Sequence, residues 1–561
     1  MRIASADIES NNWIDFLMLG FFDGKNYKVF SSVKRFLDFI LVKKNNGLRI
    51  YFHNGGRFDF IFLLDELFKR GKVEFVERTG GLILIKFRTK KVYIEFADSY
   101  CLLPASLEKL IEINGINHKK IKIDFTKKYK FNDERLQRHL KNDVLALFEI
   151  VQRFYKKEGT LSLTVASHSL KVFTSKFCKL DFFQCDDDFD NYFRTNFYKG
   201  GRVEVYKGYG KNLYYYDINS LYPFVMLNEM PSGMPVRTKK FIRDKIGFYK
   251  IELNEDTHFD ISVLTVKKFF NNYYVNGMKG DKFYLHSCEL EYLKEKKISF
   301  KIIDGYYFEQ SEDLFTDFVN YFYNEKKNAK NSFDRYFAKL ILNSLYGKFG
   351  QKIKGEKLVV NDGRYNDYKI FDAYNDLILV DKNFNVKFKC VYVASYITAL
   401  ARTYHLRLMD KVGFENIFYC DTDSIICSKK LKTSDEIGEL KLEAEIKEGI
   451  FLMPKVYGYI DKKGNEVVKY KGFRERSFSY QSLKELLNGQ RKELVVKERK
   501  MLSMRASVRR KKDIIKSNGK FLKTVDIEKK LSFDYKRRQV IKDKKYVFVT
   551  KPFNSLMLNE M

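Results

Sequence analysis

Apolar residues recur along this chain in two rhythms. From Ile3 to Ile8 they alternate with polar ones, the period of a strand, and the alternation runs into Asp7 and Glu9. Arg49 to Phe52 is a second strand, closing on His53-Asn54-Gly55-Gly56. Leu136, Leu140, Val144, Leu147 and Ile150 share one face of a helix predicted over 133–154. These elements predict one α/β unit. The rhythm breaks into a loop at Tyr198-Lys199-Gly200-Gly201, and an aromatic strand follows from Leu213 to Ile218. Short strands fill 229–325 and a helix covers roughly 326–346. Residues 357–388 alternate around Asn361-Asp362-Gly363, a hairpin signal. A helix from Ala394 to Val412 and a tight strand pair around Asp421-Thr422-Asp423 complete the pattern before a stretch, 476–561, dominated by Lys and Arg.

The 561 residues exceed one hydrophobic core, so two to four domains are expected. A net charge of +32 repels itself unless a polyanion neutralises it. Nucleic acid is the first partner this suggests, and an anionic membrane the second. Coding from an A/T-rich genome accounts for much of the 16% aromatic content but not for the whole charge imbalance. The start enters a strand at once, which predicts no signal peptide, and no run of about 18 apolar residues predicts a membrane span. The 7 cysteines include no C-x-x-C pair, so neither a zinc site nor a disulfide framework is expected and a reducing compartment fits.

Three groups of residues carry candidate chemistry. Asp7 and Glu9 share a strand face, and Asp59 and Asp143 can complete a four-carboxylate box for two cations. On spacing alone, surface ion pairs and unrelated acids fit them as well. Asp217 closes one strand, and Asp421 and Asp423 sit between two apolar strands, where burial is costly without cations or hydrogen bonds. An ordinary polar turn is the plain alternative. Lys339, Asn343 and Tyr346 fall on one helix face, with Arg335 a turn earlier and Lys327 further up. That stripe suits a triphosphate, or is a solvated basic face.

In this order the motifs resemble those of family B DNA polymerases, most closely the protein-primed branch of the bacteriophage phi-29 type, over essentially the whole chain. Asp217-x-x-Ser220-Leu221-Tyr222-Pro223, Lys339 to Gly347 and Tyr419-Cys420-Asp421-Thr422-Asp423-Ser424 are similar to the three polymerase motifs. Lys455-Val456-Tyr457 is similar to the K-x-Y motif that contacts the primer strand. Asp7/Glu9, Asn54 to Asp59 (with Phe58) and Asp143 match the exonuclease motifs. Tyr198 to Gly201 resembles the loop coupling the two sites. Ser106-Leu107 resembles a single-strand-binding motif, and Lys120 a basic residue assisting that site. His139 departs from the pattern, standing where the third exonuclease motif has Tyr. Imidazole, with a pKa near 6.5, can orient or deprotonate a water there.

The resemblance implies an α/β and α+β multidomain fold. An RNase H-like 3′–5′ exonuclease domain (1–165) would precede a right-hand polymerase. The palm would span 166–228 and 393–475, the fingers 326–355 and the thumb 476–561. Insertions at 229–325 and 356–392 would contact a terminal protein and serve processivity and strand displacement; surface elaboration is the alternative. It implies two Mg²⁺ per site, with Mn²⁺ as substitute, on Asp217 and Asp423 and on Asp7, Glu9, Asp59 and Asp143. Implied partners are template and primer DNA, dNTPs, a terminal protein and a single-stranded DNA-binding protein, met by a monomer without a membrane. The setting would be the host cytoplasm for a virus, or organelle or cytoplasm for a plasmid. Two other readings stand beside this: a family B enzyme using an ordinary nucleic-acid primer, and a non-catalytic basic DNA-binding protein.

Overall fold

The computed structural model describes residues 2–560 apart from 79, 119–120, 125–126, 179–181, 269–270, 362, 366–369, 375–376, 385, 387, 474–476 and 510–523, so Lys120 lies outside the described residues.

Seven strands open the chain: β1 (Arg2–Asn11), β2 (Asp15–Phe22), β3 (Tyr27–Phe30), β4 (Leu48–Phe52), β5 (Lys72–Arg78), β6 (Gly81–Arg88) and β7 (Tyr93–Asp98). They form one sheet in the order β3-β2-β1-β4-β7-β6-β5. β1, β4 and β7 are parallel, so their C-terminal ends bring Glu9, Phe52 and Asp98 to one edge. Helices α1 (Val33–Ile40), α2 (Asp59–Phe68), α3 (Leu107–Asn114) and α4 (Glu134–Glu158) accompany the sheet. α4 buries the five apolar residues whose spacing predicts it, and Asp133 caps it by accepting from Leu136 N at 2.8 Å.

Two helices, α5 (Val165–Lys176) and α6 (Asp187–Asn196), lead to β8 (Val203–Val205), β9 (Tyr209–Ile218) and the single turn α7 (Leu221–Val225). An excursion follows: β10 (Met230–Thr238), β11 (Gly247–Leu253), β12 (Thr265–Lys268), β13 (Asn271–Asn276), β14 (Lys282–His286), α8 (Ser287–Glu295) and β15 (Phe300–Glu312). Four of these strands make a sheet in the order β10-β15-β11-β14.

The single helix expected over 326–346 is instead three pieces: α9 (Thr316–Lys327), α10 (Ser332–Ser344) and the turn α11 (Tyr346–Phe349). Asn331 breaks the run. It is extended at φ −143° and its side chain caps α10 by accepting from Asp334 N at 2.9 Å. Lys327 therefore lies on the helix before the Arg335–Lys339–Asn343 stripe, not further up the same one. The hairpin expected around Asn361–Gly363 also differs. β16 (Lys354–Val360), β17 (Ile370–Tyr374) and β18 (Leu377–Asn383) pair in the order β16-β18-β17, so the strand after that turn is not the partner of β16.

The long helix α12 (Val391–Val412) precedes β19 (Ile417–Asp421), β20 (Ser424–Cys427), β21 (Leu440–Met453), β22 (Val456–Asp461) and β23 (Glu466–Tyr470). With β8 and β9 these make a second seven-stranded sheet, ordered β23-β22-β21-β9-β20-β19-β8. The C-terminal part holds α13 (Tyr480–Leu487), β24 (Glu493–Met501), α14 (Met504–Arg509), β25 (Thr524–Ser532), β26 (Gln539–Asp543), β27 (Val547–Lys551) and β28 (Phe553–Asn554). Its arm reaches back across the molecule. Met504 and Val508 pack with Leu358, Leu377 and Leu379 into the core of the first sheet, and Arg505 pairs with Glu77. All seven cysteines are free thiols. Among the described residues no helix is long and apolar enough to cross a membrane.

Candidate active sites

The first centre is a cavity of about 570 Å³ at the edge where the parallel strands end. Asp7 and Glu9 reach it from one face of β1. Asp59, the first residue of α2, accepts a hydrogen bond from Ile8 N at 2.9 Å, which ties its carboxylate to the strand between them. Burial pushes the Asp59 carboxyl up to about 7, and Asp98 nearby adds to it. Asp143 comes from α4, one turn after His139. The imidazole Nε2 stands between two acids, 3.4 Å from Glu9 Oε1 and 3.7 Å from Asp143 Oδ2. His139 thus faces into the centre rather than away from it.

Asn54, Phe58, Ser106 and Leu107 line the same cavity. Asn54 is left-handed at φ 62°, which turns the chain from β4 toward α2. Ser106 caps α3 by accepting from Lys109 N at 3.2 Å. Two residues here belong to no motif. Trp13, 48% exposed, lines the cavity with its ring 5.7 Å from Phe58 in an edge-on contact. The Tyr27 hydroxyl lies over Gly20, the residue opposite Asp7 in the β1–β2 register, and 3.0 Å from where a β-carbon at Gly20 would sit. Burial, then Asp7 and Glu9, hold that phenol in its protonated form.

The second centre sits on the second sheet. β9 is flanked by β20, and Asp217 lies opposite Ser424. Ile218 N donates to Asp423 O at 2.7 Å, so the two acids, 206 positions apart, come together. The turn between β19 and β20 is held by Thr422, left-handed at φ 59°, whose N–H donates to Arg202 O at 2.7 Å. Burial first, then Asp423 and Glu443, push the Asp217 carboxyl up to about 7, against Lys339 and Lys441. Asp423 is raised as well, by burial and then Asp421, against Lys455 and Lys339. Asp421 is different. Lys455 Nζ grips both its oxygens at 2.9 and 2.8 Å, and the Tyr419 hydroxyl donates to it at 3.3 Å. The Tyr457 hydroxyl is bonded to Tyr215 across the intervening strand β21.

Arg335, Lys339 and Asn343 are exposed, one turn apart on α10. Lys327 is paired instead with Glu436 at 3.0 Å. Its neighbour Lys326 takes the place expected of it. Lys326 is half-buried, donates to Ser220 Oγ at 3.3 Å, and is lowered by burial and then by Lys339, Arg335 and Lys441. Lys326, Arg335, Lys339 and Lys441 thus crowd together beside Ser220, and of these Lys339 and Lys441 act on Asp217. Beside them Tyr222 and Tyr346 stack, ring centroids 4.3 Å apart.

The Tyr198–Gly201 loop backs this centre. A β-carbon at Gly201 would come within 2.8 Å of the Thr422 side chain, so only glycine lets the loop lie against the acidic turn. Tyr198 packs under Gly350, and no such constraint acts at Gly200. Lys199 is buried, donates to Thr265 Oγ1 at 2.6 Å and is lowered to about 8 by burial. Arg402 donates to Lys199 O at 2.8 Å while paired with Glu289 at 2.7 Å, which fastens the loop to α12 and α8.

Among the described residues no three acid, imidazole or thiolate groups close on one point at ligand distance. Carboxylates crowded and pushed upward nonetheless form the donor set that a divalent cation suits, because the cation relieves the repulsion that otherwise keeps a proton in place. Asp217 and Asp423 fit such an ion in one centre, and Asp7, Glu9, Asp59 and Asp143 in the other.

Comparison with known proteins places the fold and the family. The family model described as DNA polymerase type B, organellar and viral, matches residues 41–132 and 112–429. A probable DNA polymerase of Neurospora intermedia is 29% identical over 547 residues, covering 80% of this chain and 55% of that one. The DNA polymerase of Bacillus phage Nf is 26% identical, covering 81% of this chain and 86% of that one. The chain spans about half the length of several curated fungal relatives. The solved structure of Phi29 DNA polymerase complexed with single-stranded DNA superposes with a TM-score of 0.74 at 21% identity, over 95% of this chain and 100% of that one. The mixed α/β multidomain fold is therefore shared across nearly the whole chain, and the chain belongs to the organellar and viral type B DNA polymerases.

Proposed function

We propose that this chain is a DNA-directed DNA polymerase with its own 3′–5′ proofreading exonuclease, and that it starts strands on a protein. The observation that carries the reading is the pairing of Asp217 with Asp423 under Lys339, with Lys326 and Arg335 clustered around that lysine. Paired acids facing a cationic helix suit a nucleoside triphosphate bridged to metal ions; a merely basic DNA-binding protein gains nothing from acids placed beside phosphate.

Synthesis would run on the second sheet, the palm. Asp217 and Asp423 would hold divalent cations, which would supply activation of a primer 3′-hydroxyl and neutralisation of charge on the pyrophosphate. The fingers helices α9 and α10 supply Lys326, Arg335 and Lys339 to the triphosphate as fixed positive charge. Tyr222 forms the floor under the deoxyribose, and Tyr346 and Asn343 meet the nascent base pair. Lys455 pairs with Asp421 and so offsets part of the repulsion that Asp421 exerts on Asp423, and with Tyr457 it faces the primer strand. The C-terminal arm acts as thumb, and its contact with β16–β18 fits a closed grip on duplex DNA.

Editing would run in the first cavity, an RNase H-like exonuclease domain. Asp7, Glu9, Asp59 and Asp143 hold its metal pair, and His139 and Tyr27 orient the attacking water. Trp13, Phe58 and the Ser106–Leu107 corner receive a frayed single strand by stacking and capping. The Tyr198–Gly201 loop, pinned to the acidic turn and to α12, couples the two sites.

Protein priming is supported by the two inserted sheets and by similarity to phage polymerases over most of their length. The nucleophile is an alcohol in either case, so the same centre serves. The test is template-dependent extension with Mg²⁺, run beside transfer of a labelled dNTP to the product of a neighbouring gene. Asp423→Asn should abolish both and spare single-strand degradation. Extension of oligonucleotides without any label on protein leaves an ordinary primer as the start; extension by folded Asp423→Asn overturns the site.

A further inference from the structure

At the end of the first sheet remote from Asp7 and Glu9, a concavity of about 830 Å³ opens along β5, β6 and the turn into β7. β7 begins in it at Tyr93 and ends at Asp98, beside Gly56 and the acidic cavity. That is about 17 Å of strand. The wall is cationic. Lys72 and Arg88 face each other across β5 and β6, and Lys86 lies two residues back on the same face. Thr89 Oγ1 closes the following turn by accepting from Val92 N at 3.1 Å, which leaves Lys90 and Lys91 at its tip. Arg364 reaches in from the second inserted sheet to Glu74 at 3.3 Å. Among the described residues Lys72, Lys86, Arg88, Lys90 and Lys91 form no ion pair.

We propose that this concavity binds the phosphate backbone of a DNA segment lying outside both acidic centres. The proposal rests on the polymerase reading. The cations are strung along an edge and a turn rather than aimed at one point. That arrangement suits a polymer with a charge about every 3.4 Å per strand better than a single small anion. Protection of an edge strand from sheet pairing asks for a lysine or two and no cleft. Here five cations and an arginine from a distant insertion share one.

The test compares the intact chain with a variant carrying Lys72→Ala, Arg88→Ala, Lys90→Ala and Lys91→Ala. Affinity is measured against salt for three DNAs: a short primer-template, one with a long single-stranded template overhang, and one whose overhang is paired as downstream duplex. On a long DNA the variant should bind about tenfold more weakly, with the log–log salt slope smaller by about 3. Affinity for the short DNA and its extension should not change. Loss confined to the overhang identifies single-stranded template as the ligand; loss confined to the duplex identifies downstream DNA. Unchanged slopes on both long DNAs, with extension intact, overturn the proposal, as does an equal loss on the short DNA. Failure of the wild-type chain to extend any primer overturns the polymerase reading instead.

Discussion

The rings of Tyr222 and Tyr346 lie flat on one another, 4.3 Å between centroids and 10° between planes, with their hydroxyls hydrogen-bonded. They come from different helices, α7 and α11, so the stack joins the floor of the second centre to the turn that follows the helix carrying Lys339.

Tyr222→Val removes the floor without touching the acids. The ratio of kcat/KM for ribonucleotides over deoxyribonucleotides should rise about tenfold or more, an effect of roughly 1.4 kcal/mol. Unchanged sugar discrimination would remove Tyr222 from that role.

Lys326→Ala tests the cation that periodicity misses. KM for dNTPs should rise about tenfold while degradation of single strands stays unchanged. Lys327→Ala, which breaks only an exposed pair with Glu436, should leave both activities within about twofold. The reverse pattern would restore Lys327 to the stripe.

The raised carboxyls make stability depend on pH. Asp217 and Asp59 sit at about 7 when folded, against 3.8 for a free Asp, so the folded state holds their protons more tightly than the unfolded state does. Their strain is absent below about pH 4, grows as pH rises through that window, and is complete above about pH 7. Without metal, Asp217→Asn should therefore raise the melting temperature at pH 8 by about 2 °C or more and have little effect at pH 4. Mg²⁺ should narrow the difference at pH 8 by stabilising the wild type. A variant no more stable than wild type at pH 8 would show that Asp217 carries no such burden.

His139→Phe should slow single-strand degradation about 100-fold and leave extension intact. Tyr27→Phe should cost about tenfold in the same assay and shift its pH profile, because the phenol beside Asp7 is removed while the fold is kept. Wild-type profiles in both variants would leave water positioning to the acids alone.

The candidate acids were legible because each motif is local. Asp7-x-Glu9 needs only the two-residue period of a strand, and Asp421-x-Asp423 only a turn. Helix α4 was legible through its apolar face and its Asp133 cap. The break before α10 carried a readable signal, Asn331 three residues before Asp334, but neither Gly nor Pro marked it. Trp13 and Tyr27 carried none, since a lone aromatic in a turn or on a strand has no spacing partner to mark it.

By itself, then, the sequence determined the element types, the order of the motifs and the basic character of the chain, all of which depend on neighbours within a few residues or on composition. Tertiary structure alone decided that β9 pairs with β20, that Lys455 belongs to Asp421, that Lys326 rather than Lys327 joins Lys339 and Arg335, and that Arg364 joins Lys72, Lys86, Arg88, Lys90 and Lys91 at the far end of the first sheet. Those facts depend on which strands hydrogen-bond and on where separated helices dock. The deciding contacts join residues tens to hundreds of positions apart, and no local period records them.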